Sequence, residues 1–348
     1  MPSQPHQQLR VVAIGGGTGL STLLRGLKRY VQPPAGTTQL EDHLCDLPCR
    51  IEQLSALVTV TDDGGSSGRL REDLNILPPG DVRNCVAALS GDEQLLTRLF
   101  QYRFPHQEGN GLSGHSFGNL FLAALTAIHD GDFAQAVQMS SQILAARGTI
   151  YPATNSNVTL TALMDDGSMV HGETNITASR QSIVELYLNP ADAKPMPEAL
   201  EALSSADLIT LGPGSLFTSL ITNLLVDGIP QAIAASSATR VYISNLMTQA
   251  NESLGLTASE HIRRIQAHCG NERLFDYALV NTAPISPSLL QKYASEGQQP
   301  IEPDLDRIRE LGVTPITGNF VHEGDVLRHD YDRVAEVLLD LPLRAPAA

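Results

Sequence analysis

Residues 9–19 read Leu-Arg-Val-Val-Ala-Ile-Gly-Gly-Gly-Thr-Gly, and apolar residues follow at Leu20, Leu23, Leu24 and Leu27. A short apolar run enters a glycine-dense turn and leaves it on helical spacing, so the segment reads strand, turn, helix. That succession is the half-unit of a parallel sheet. It also makes a phosphate seat. The glycines remove the Cβ atoms that would hold an anion away, and the helix N-terminus offers free N–H groups and the positive end of its dipole. Gly15, Gly16, Gly17, Thr18 and Gly19 are therefore candidate ligand contacts; the other reading is a tight turn used only for packing. The turn is not the dinucleotide fingerprint, because GxGxxG counted from Gly15 needs glycine at Leu20. Nor is it a Walker loop, since no Gly-Lys-Ser/Thr follows.

Outward from this segment, strand and helix patterns alternate over most of the chain. The expectation is an α/β fold, a mainly parallel sheet with helices on both faces. Strands are expected at Leu9–Ile14, Leu54–Thr61, Asp207–Leu211, Arg240–Asn245, Tyr277–Asn281 and Pro315–Phe320. Helices are expected at Leu20–Tyr30, Phe117–Ile128 and Leu216–Val226. In the second of these Phe117, Leu120, Phe121, Ala124, Leu125 and Ile128 form one stripe, which reads as a core face. Residues 158–173 read as a β-hairpin insertion turning at Asp165-Asp166-Gly167. Residues 31–53, with Pro33-Pro34, read as a surface insertion, and 342–348 as a frayed tail. No sharp boundary divides the chain, so residues 1–348 are taken as a single domain.

The bulk numbers exclude several classes. With 348 residues, 42% hydrophobic and 18% charged, the chain can build a packed core. Its net charge of −15 argues against a nucleic-acid partner, which needs a basic face. Cys45, Cys49, Cys85 and Cys269 contain no CxxC pair and no zinc spacing, so they read as reduced thiols. The first eight residues are polar, and the longest apolar helix face is too short to span a bilayer. A cytoplasmic protein with no membrane partner is the expectation.

Four further segments carry chemistry. The second strand ends in Thr61-Asp62-Asp63-Gly64-Gly65-Ser66-Ser67-Gly68-Arg69. Ligands gather at the carboxyl ends of strands in open α/β sheets. There Asp62 and Asp63 could hold Mg²⁺ or accept from a ribose hydroxyl, or simply form a solvated turn. In Pro79-Gly80-Asp81-Val82-Arg83-Asn84, Asp81 sits where an N-cap would be, and Arg83 could pair with it or fork onto a phosphate. His115 and Asn119 fall four apart at the start of the Phe117 helix, on one face, with Ser113 or Ser116 as possible caps. Asp207-Leu-Ile-Thr-Leu-Gly-Pro-Gly-Ser-Leu216 repeats the opening device, with Ser215 able to cap the helix. Two glycine turns in one sheet, with an acidic loop between, point to a phosphoryl-bearing ligand.

Taken together, Ile14–Ser21, Val60–Arg71, Pro79–Asn84 and Leu211–Leu216 resemble the YvcK-like gluconeogenesis factors, within the wider 2-phospho-L-lactate transferase (CofD-like) superfamily. The resemblance is collinear from about Leu9 to Asp340. It implies a Rossmann-like sheet, a cytoplasmic bacterial protein, UDP-sugar or other nucleotide binding, and a role in cell shape and envelope synthesis during gluconeogenic growth. It implies a homodimer. Carried over by position, Gly15–Gly19 and Gly212–Ser215 match the family's phosphate-proximal turns, and Asn245 and Asn281 fall at strand ends where base or sugar contacts are expected. Ser66, Ser67, Arg69, Asp81, Arg83, Asn84, His115 and Asn119, from the segments above, complete a candidate ligand-binding set with Gly212, Gly214 and Ser215. Asp62 and Asp63 match an acidic loop that is similar to a metal and acceptor site in the transferase branch. The rival implied by the same resemblance is a metal-assisted transferase of phosphorus-containing groups. The chain departs from that branch after its acidic pair, where a deazaflavin acceptor signature is missing.

Overall fold

The computed structural model describes residues 8–32, 49–91, 94–107, 109–250 and 252–344. In chain order the elements begin with β1 (Leu9–Gly15), α1 (Gly17–Lys28), β2 (Ile51–Val58), α2 (Gly65–Leu74), α3 (Gly80–Leu89), α4 (Gln94–Gln101), α5 (Phe117–Ile128) and α6 (Phe133–Ile143). Then come β3 (Thr149–Pro152), β4 (Thr159–Met164), β5 (Met169–His171), α7 (Glu173–Ala178), β6 (Ile183–Asn189), α8 (Pro197–Ser205) and β7 (Leu208–Leu211). A π-helical segment, Leu216–Ile221, runs into α9 (Thr222–Leu224) and is followed by α10 (Ile229–Ala235), β8 (Thr239–Ile243) and α11 (Ala258–His268). The chain closes with β9 (Tyr277–Asn281), α12 (Pro287–Ala294), α13 (Leu305–Glu310), β10 (Thr314–Gly318), β11 (Val321–Glu323), β12 (Leu327–His329) and α14 (Tyr331–Asp340).

Seven strands form a parallel sheet in the order β10-β9-β8-β7-β1-β2-β3. The chain builds β1, β2 and β3 toward one edge, then returns to the other side of β1 and builds outward through β7 to β10. Its direction reverses between β1 and β7, and a crevice opens at such a switch point outside the carboxyl ends of the strands. Central strands are apolar on both faces, as a sheet covered on both sides requires: Val11, Val12, Ala13 and Ile14 are all buried.

The amino ends of the sheet carry one staple twice. Asp207, just before β7, accepts from the Arg10 backbone N–H at 2.8 Å and from its Nε and Nη2 at 3.1 Å each. Asp276, just before β9, does the same for Arg240, with distances of 3.0, 3.1 and 2.7 Å. Each is a two-pronged guanidinium–carboxylate pair reinforced by a main-chain bond.

The α/β expectation holds, and so does the hairpin: β4 and β5 pair antiparallel, and β6 joins them in a separate three-stranded sheet. Several boundaries move. The second strand starts at Ile51 and ends at Val58, so Ile51–Gln53 belongs to the sheet, and Val31 bridges to Ile51. The rest of the expected insertion, 33–48, lies outside the described residues, as do Cys45 and 345–348. Leu341–Leu343 forms a 3-10 turn. β3 and β6, which the alternation did not announce, are short or half-exposed. The α5 stripe is corrected: Leu122, Leu125 and Thr126 are buried, whereas Ile128 is 70% exposed and Ala124 is exposed. Gly118 lies against the Phe100 carbonyl, leaving no room for a Cβ, so the Gly118 side of the helix faces inward. Among the described residues no single helix is long and apolar enough to cross a membrane, and the bent pair Leu216–Leu224 and Ile229–Ala235 is mostly core.

Candidate functional site

The two glycine turns flank the switch point, one after β1 and one after β7. They line one cleft of about 340 Å³ with Ser219, Asn245, Gln249, Tyr293 and Arg328. The turns touch: a Cβ on Gly19 would overlap the Pro213 carbonyl oxygen, so only glycine lets them meet. Helix α1 starts at Gly17, three residues earlier than Leu20, and Gly17 takes φ +60° at the bend into it, a conformation open to glycine. The expected seat thus lies within the first helical turn. Among the described residues the Thr18 and Gly19 amides have no acceptor, as first-turn amides lack an intrahelical partner. They are the donors an anion would use.

The second turn is different. Ser215 stands at the cap position but makes no capping bond. Its Oγ accepts from Gln249 Nε2 at 2.9 Å. Glu252 caps the helix instead, accepting from the Phe217 N–H at 3.2 Å and the Thr218 hydroxyl at 2.9 Å. That carboxyl group is buried, and burial raises its pKa above the usual range despite the donors. The dipole end of the second helix is therefore already occupied by the protein's own acid. Gly212 sits beneath, at φ +89°, close to the Ile243 carbonyl. Gly214 and Ser215 remain on the cleft wall, with Asn245 Oδ1 accepting the Gly214 N–H at 3.4 Å.

Beside the first turn stands an acidic group. Asp81 is not the cap of its own helix, because α3 starts at Gly80. It instead accepts a hydrogen bond from the Gly17 backbone. Its second neighbour, Gly16, has no space for a Cβ against the Asp81 Oδ2 and Thr59. Burial, then the Asp62 charge, push the Asp81 carboxyl up to about 6. Glu173 is raised well above the ordinary range by burial and by Asp81 and Asp62, and it accepts from the Thr61 hydroxyl at 3.1 Å.

The loop carboxylates are partly committed. Asp62 Oδ1 accepts the Gly64 N–H at 2.9 Å, forming a local turn. Asp63 Oδ1 accepts from the Thr174 N–H at 2.8 Å and hydroxyl at 2.6 Å, so it caps α7 from another segment. Among the described residues no three His, Cys, Asp or Glu side chains gather closely enough to hold a metal ion.

Ser66, His115 and Asn119 do come together. Ser66 Oγ accepts from the Ser116 N–H at 3.3 Å and Asn119 Nδ2 at 3.1 Å, and lies 3.0 Å from His115 Nδ1. Two donors fill the hydroxyl lone pairs, so its own proton goes to Nδ1 and His115 carries its hydrogen on Nε2. Burial, with the Arg69 charge, lowers the His115 pKa, consistent with a neutral ring. Ser67 packs against Gly80, where its Oγ leaves no space for a Cβ. Arg69 Nη2 donates to the Ser113 carbonyl at 2.6 Å. Arg83 Nη2 donates to Asn84 Oδ1 at 2.7 Å, and its Nε is buried without a partner. Burial lowers its pKa. Asn281 is tied on both sides of its amide, to the Ala283 carbonyl and the Phe320 N–H.

Gln249, Glu252, Glu173, Tyr293 and Arg328 were not among the expected residues. None sits in a glycine turn or a strand end, so nothing local marks them. Arg328 is exposed on β12, and the Tyr293 hydroxyl accepts the Leu327 N–H at 2.9 Å, tying the β11–β12 hairpin to α12 over the cleft.

A family profile described as 2-phospho-L-lactate transferase CofD matches residues 11–321. The chain is 48% identical over 331 residues to a gluconeogenesis factor of Halalkalibacterium halodurans, covering 95% of each protein. It is 43% identical over 336 residues to the gluconeogenesis factor of Bacillus subtilis, covering 96% of this chain and 98% of that one. A crystal structure of a UPF0052 family member from Bacillus halodurans superposes with a TM-score of 0.86 at 47% identity, over 96% of this chain and 99% of the other.

Proposed function

Because the chain belongs to the CofD family, we propose that it is a gluconeogenesis factor that binds a UDP-sugar and regulates cell shape and envelope synthesis during gluconeogenic growth. One observation carries the binding part: two glycine turns flank the switch point and open into one cleft, with the Thr18 and Gly19 amides lacking acceptors. A diphosphate at these amides meets the positive end of α1. Arg328, on the rim, adds a charge that forks onto phosphate oxygens. The sugar hydroxyls face Asp81, which accepts at neutral pH. Mg²⁺, if bound, would be held by the ligand phosphates with Asp62 of the expected pair, Asp63 being engaged by Thr174, and would neutralise phosphate charge.

Isothermal titration with UDP-N-acetylglucosamine and UDP-glucose, with and without Mg²⁺, is the test. Heat that disappears in Gly19→Val supports the reading, and no heat with either ligand ends it.

The crowding of Asp81, Asp62 and Glu173 beside the anion seat favours one rival, a transferase of phosphorus-containing groups. Raised carboxyl pKa values gather where protons move. Asp81→Asn separates the two. Under the regulatory reading the native protein turns over no donor–acceptor pair, and the variant still binds. Under the transferase reading turnover exists and the variant abolishes it while binding persists.

A further inference from the structure

A second hollow of about 230 Å³ opens at the carboxyl ends of β8 and β9. It shares Asn245 and Leu246 with the cleft, so the two lie side by side. Its walls are mostly apolar, with Ile285, Leu290 and Ile301 joined by the rings of Pro284 and Pro300, and Ser244, Asn245, Asn281 and Thr282 supply the few polar groups. Asn281 fixes the shape of that wall, its Nδ2 donating to the Ala283 carbonyl at 2.9 Å and its Oδ1 accepting the Phe320 N–H at 3.0 Å. Asn281 thus builds the wall and keeps one Nδ2 hydrogen and one Oδ1 lone pair for a ligand. Asn245 stands at the junction, where its Oδ1 already accepts from Gly214.

The walls select the ligand part. A sugar placed here would give up water at each hydroxyl and gain few partners, an expensive exchange in an apolar slot. A planar heterocycle buries both faces and keeps its polar edge toward the mouth, the usual arrangement of a mostly apolar pocket with few polar groups. The spacing also agrees. From β1 to the gap between β8 and β9 is two and a half strand intervals, about 12 Å at about 4.8 Å each. An extended nucleoside diphosphate covers that span from its terminal phosphate to its base.

We infer that the slot between β8 and β9 holds the heterocyclic base of the nucleotide. The ligand then lies across the sheet, base beyond β8, phosphates over β1 and β7, and remaining group toward Asp81. This rests on the nucleotide reading above, and fixes its direction.

The test compares UDP with inorganic pyrophosphate, a probe that lacks the base. In Leu290→Trp the slot is filled from α12. The expected result is UDP binding weakened at least about tenfold, with pyrophosphate affinity unchanged from the parent. On the unaltered protein, hydrogen exchange gives a second readout that needs no variant: UDP slows amides in 283–291, and pyrophosphate does not. UDP binding to Leu290→Trp at parental affinity, or exchange slowed equally by both probes, overturns the inference. Pyrophosphate binding with UDP no tighter overturns it too, and leaves the anion seat standing. Failure of both probes to bind the parent removes the nucleotide reading and this one with it.

Discussion

The turn after β1 and the turn after β7 share a pattern and differ in what faces their helices. Both run from apolar strand through glycines into a helix. After β1, the Thr18 and Gly19 amides are left without acceptors and the nearest acid, Asp81, takes only Gly17. After β7, Glu252 takes the amide of Phe217, the second helical residue, and a neighbouring hydroxyl. A glycine turn is thus a necessary frame for an anion site, and the acid brought in from elsewhere decides whether the site is open. The pair divides its labour: one turn offers charge-stabilising donors, the other shapes a wall.

Four substitutions break or sharpen that contrast. The largest effect is expected from Gly19→Val, whose side chain meets the Pro213 carbonyl and wedges the turns apart. Overpacking of this kind costs about 1–3 kcal/mol, and ligand affinity drops by about 10–100-fold; titration calorimetry with UDP reads it. Next, Glu252→Ala leaves the Phe217 N–H and Thr218 hydroxyl buried without acceptors, at about 2–4 kcal/mol. Urea unfolding measures this loss, and a variant as stable as the parent would show that the second helix is not capped as described.

Asp81→Asn comes third. The Asp81 pKa lies above its unfolded value, so its protonated form favours the folded state. That contribution is complete below about pH 4 and lost as pH rises through about 6. The variant, which cannot ionise, is expected to be more stable than the parent above pH 7 by about 1–2 kcal/mol, with a flatter stability profile between pH 4 and 6. Unfolding of chelator-treated protein across pH 4–8 checks the sign. The smallest effect belongs to Ser215→Ala. A true N-cap serine would cost about 1 kcal/mol; here the hydroxyl only accepts from Gln249. A loss under about 0.5 kcal/mol is expected, and a full cap penalty would restore the symmetry of the turns.

Much of the frame was legible because it is local. An apolar run before Gly15 and another before Gly212 fix two neighbouring strands, and Asp165-Asp166-Gly167 marks the hairpin turn. The site was legible only in part. Gly15–Gly19 are where the pattern puts them, and His115 and Asn119 meet on Ser66 as their four-residue spacing requires. Ser215 and Asp81 were misread as caps because composition at a helix start cannot reveal a distant competitor, here Glu252 and the Gly17 amide. The α5 stripe failed for a similar reason. Periodicity identifies a hydrophobic face, but the face that turns inward also holds small and polar residues, Gly118, Asn119 and Thr126, which hydropathy does not mark. Arg328 and Tyr293 lie far along the chain from both turns they face, and only the sheet order brings them there.

The two arginine staples have a mechanical consequence. They clamp β1 to β7 and β8 to β9 at the edge opposite the cleft, so the strands resist sliding past one another there. At the far edge the β11–β12 hairpin is fastened over the cleft by separate bonds, Tyr293 to Leu327, Ser286 to Glu323 and Lys292 to the Asp325 carbonyl. The molecule resembles a book with a stitched spine: its pages are held in register at one edge, and the cover is fastened by clasps of its own.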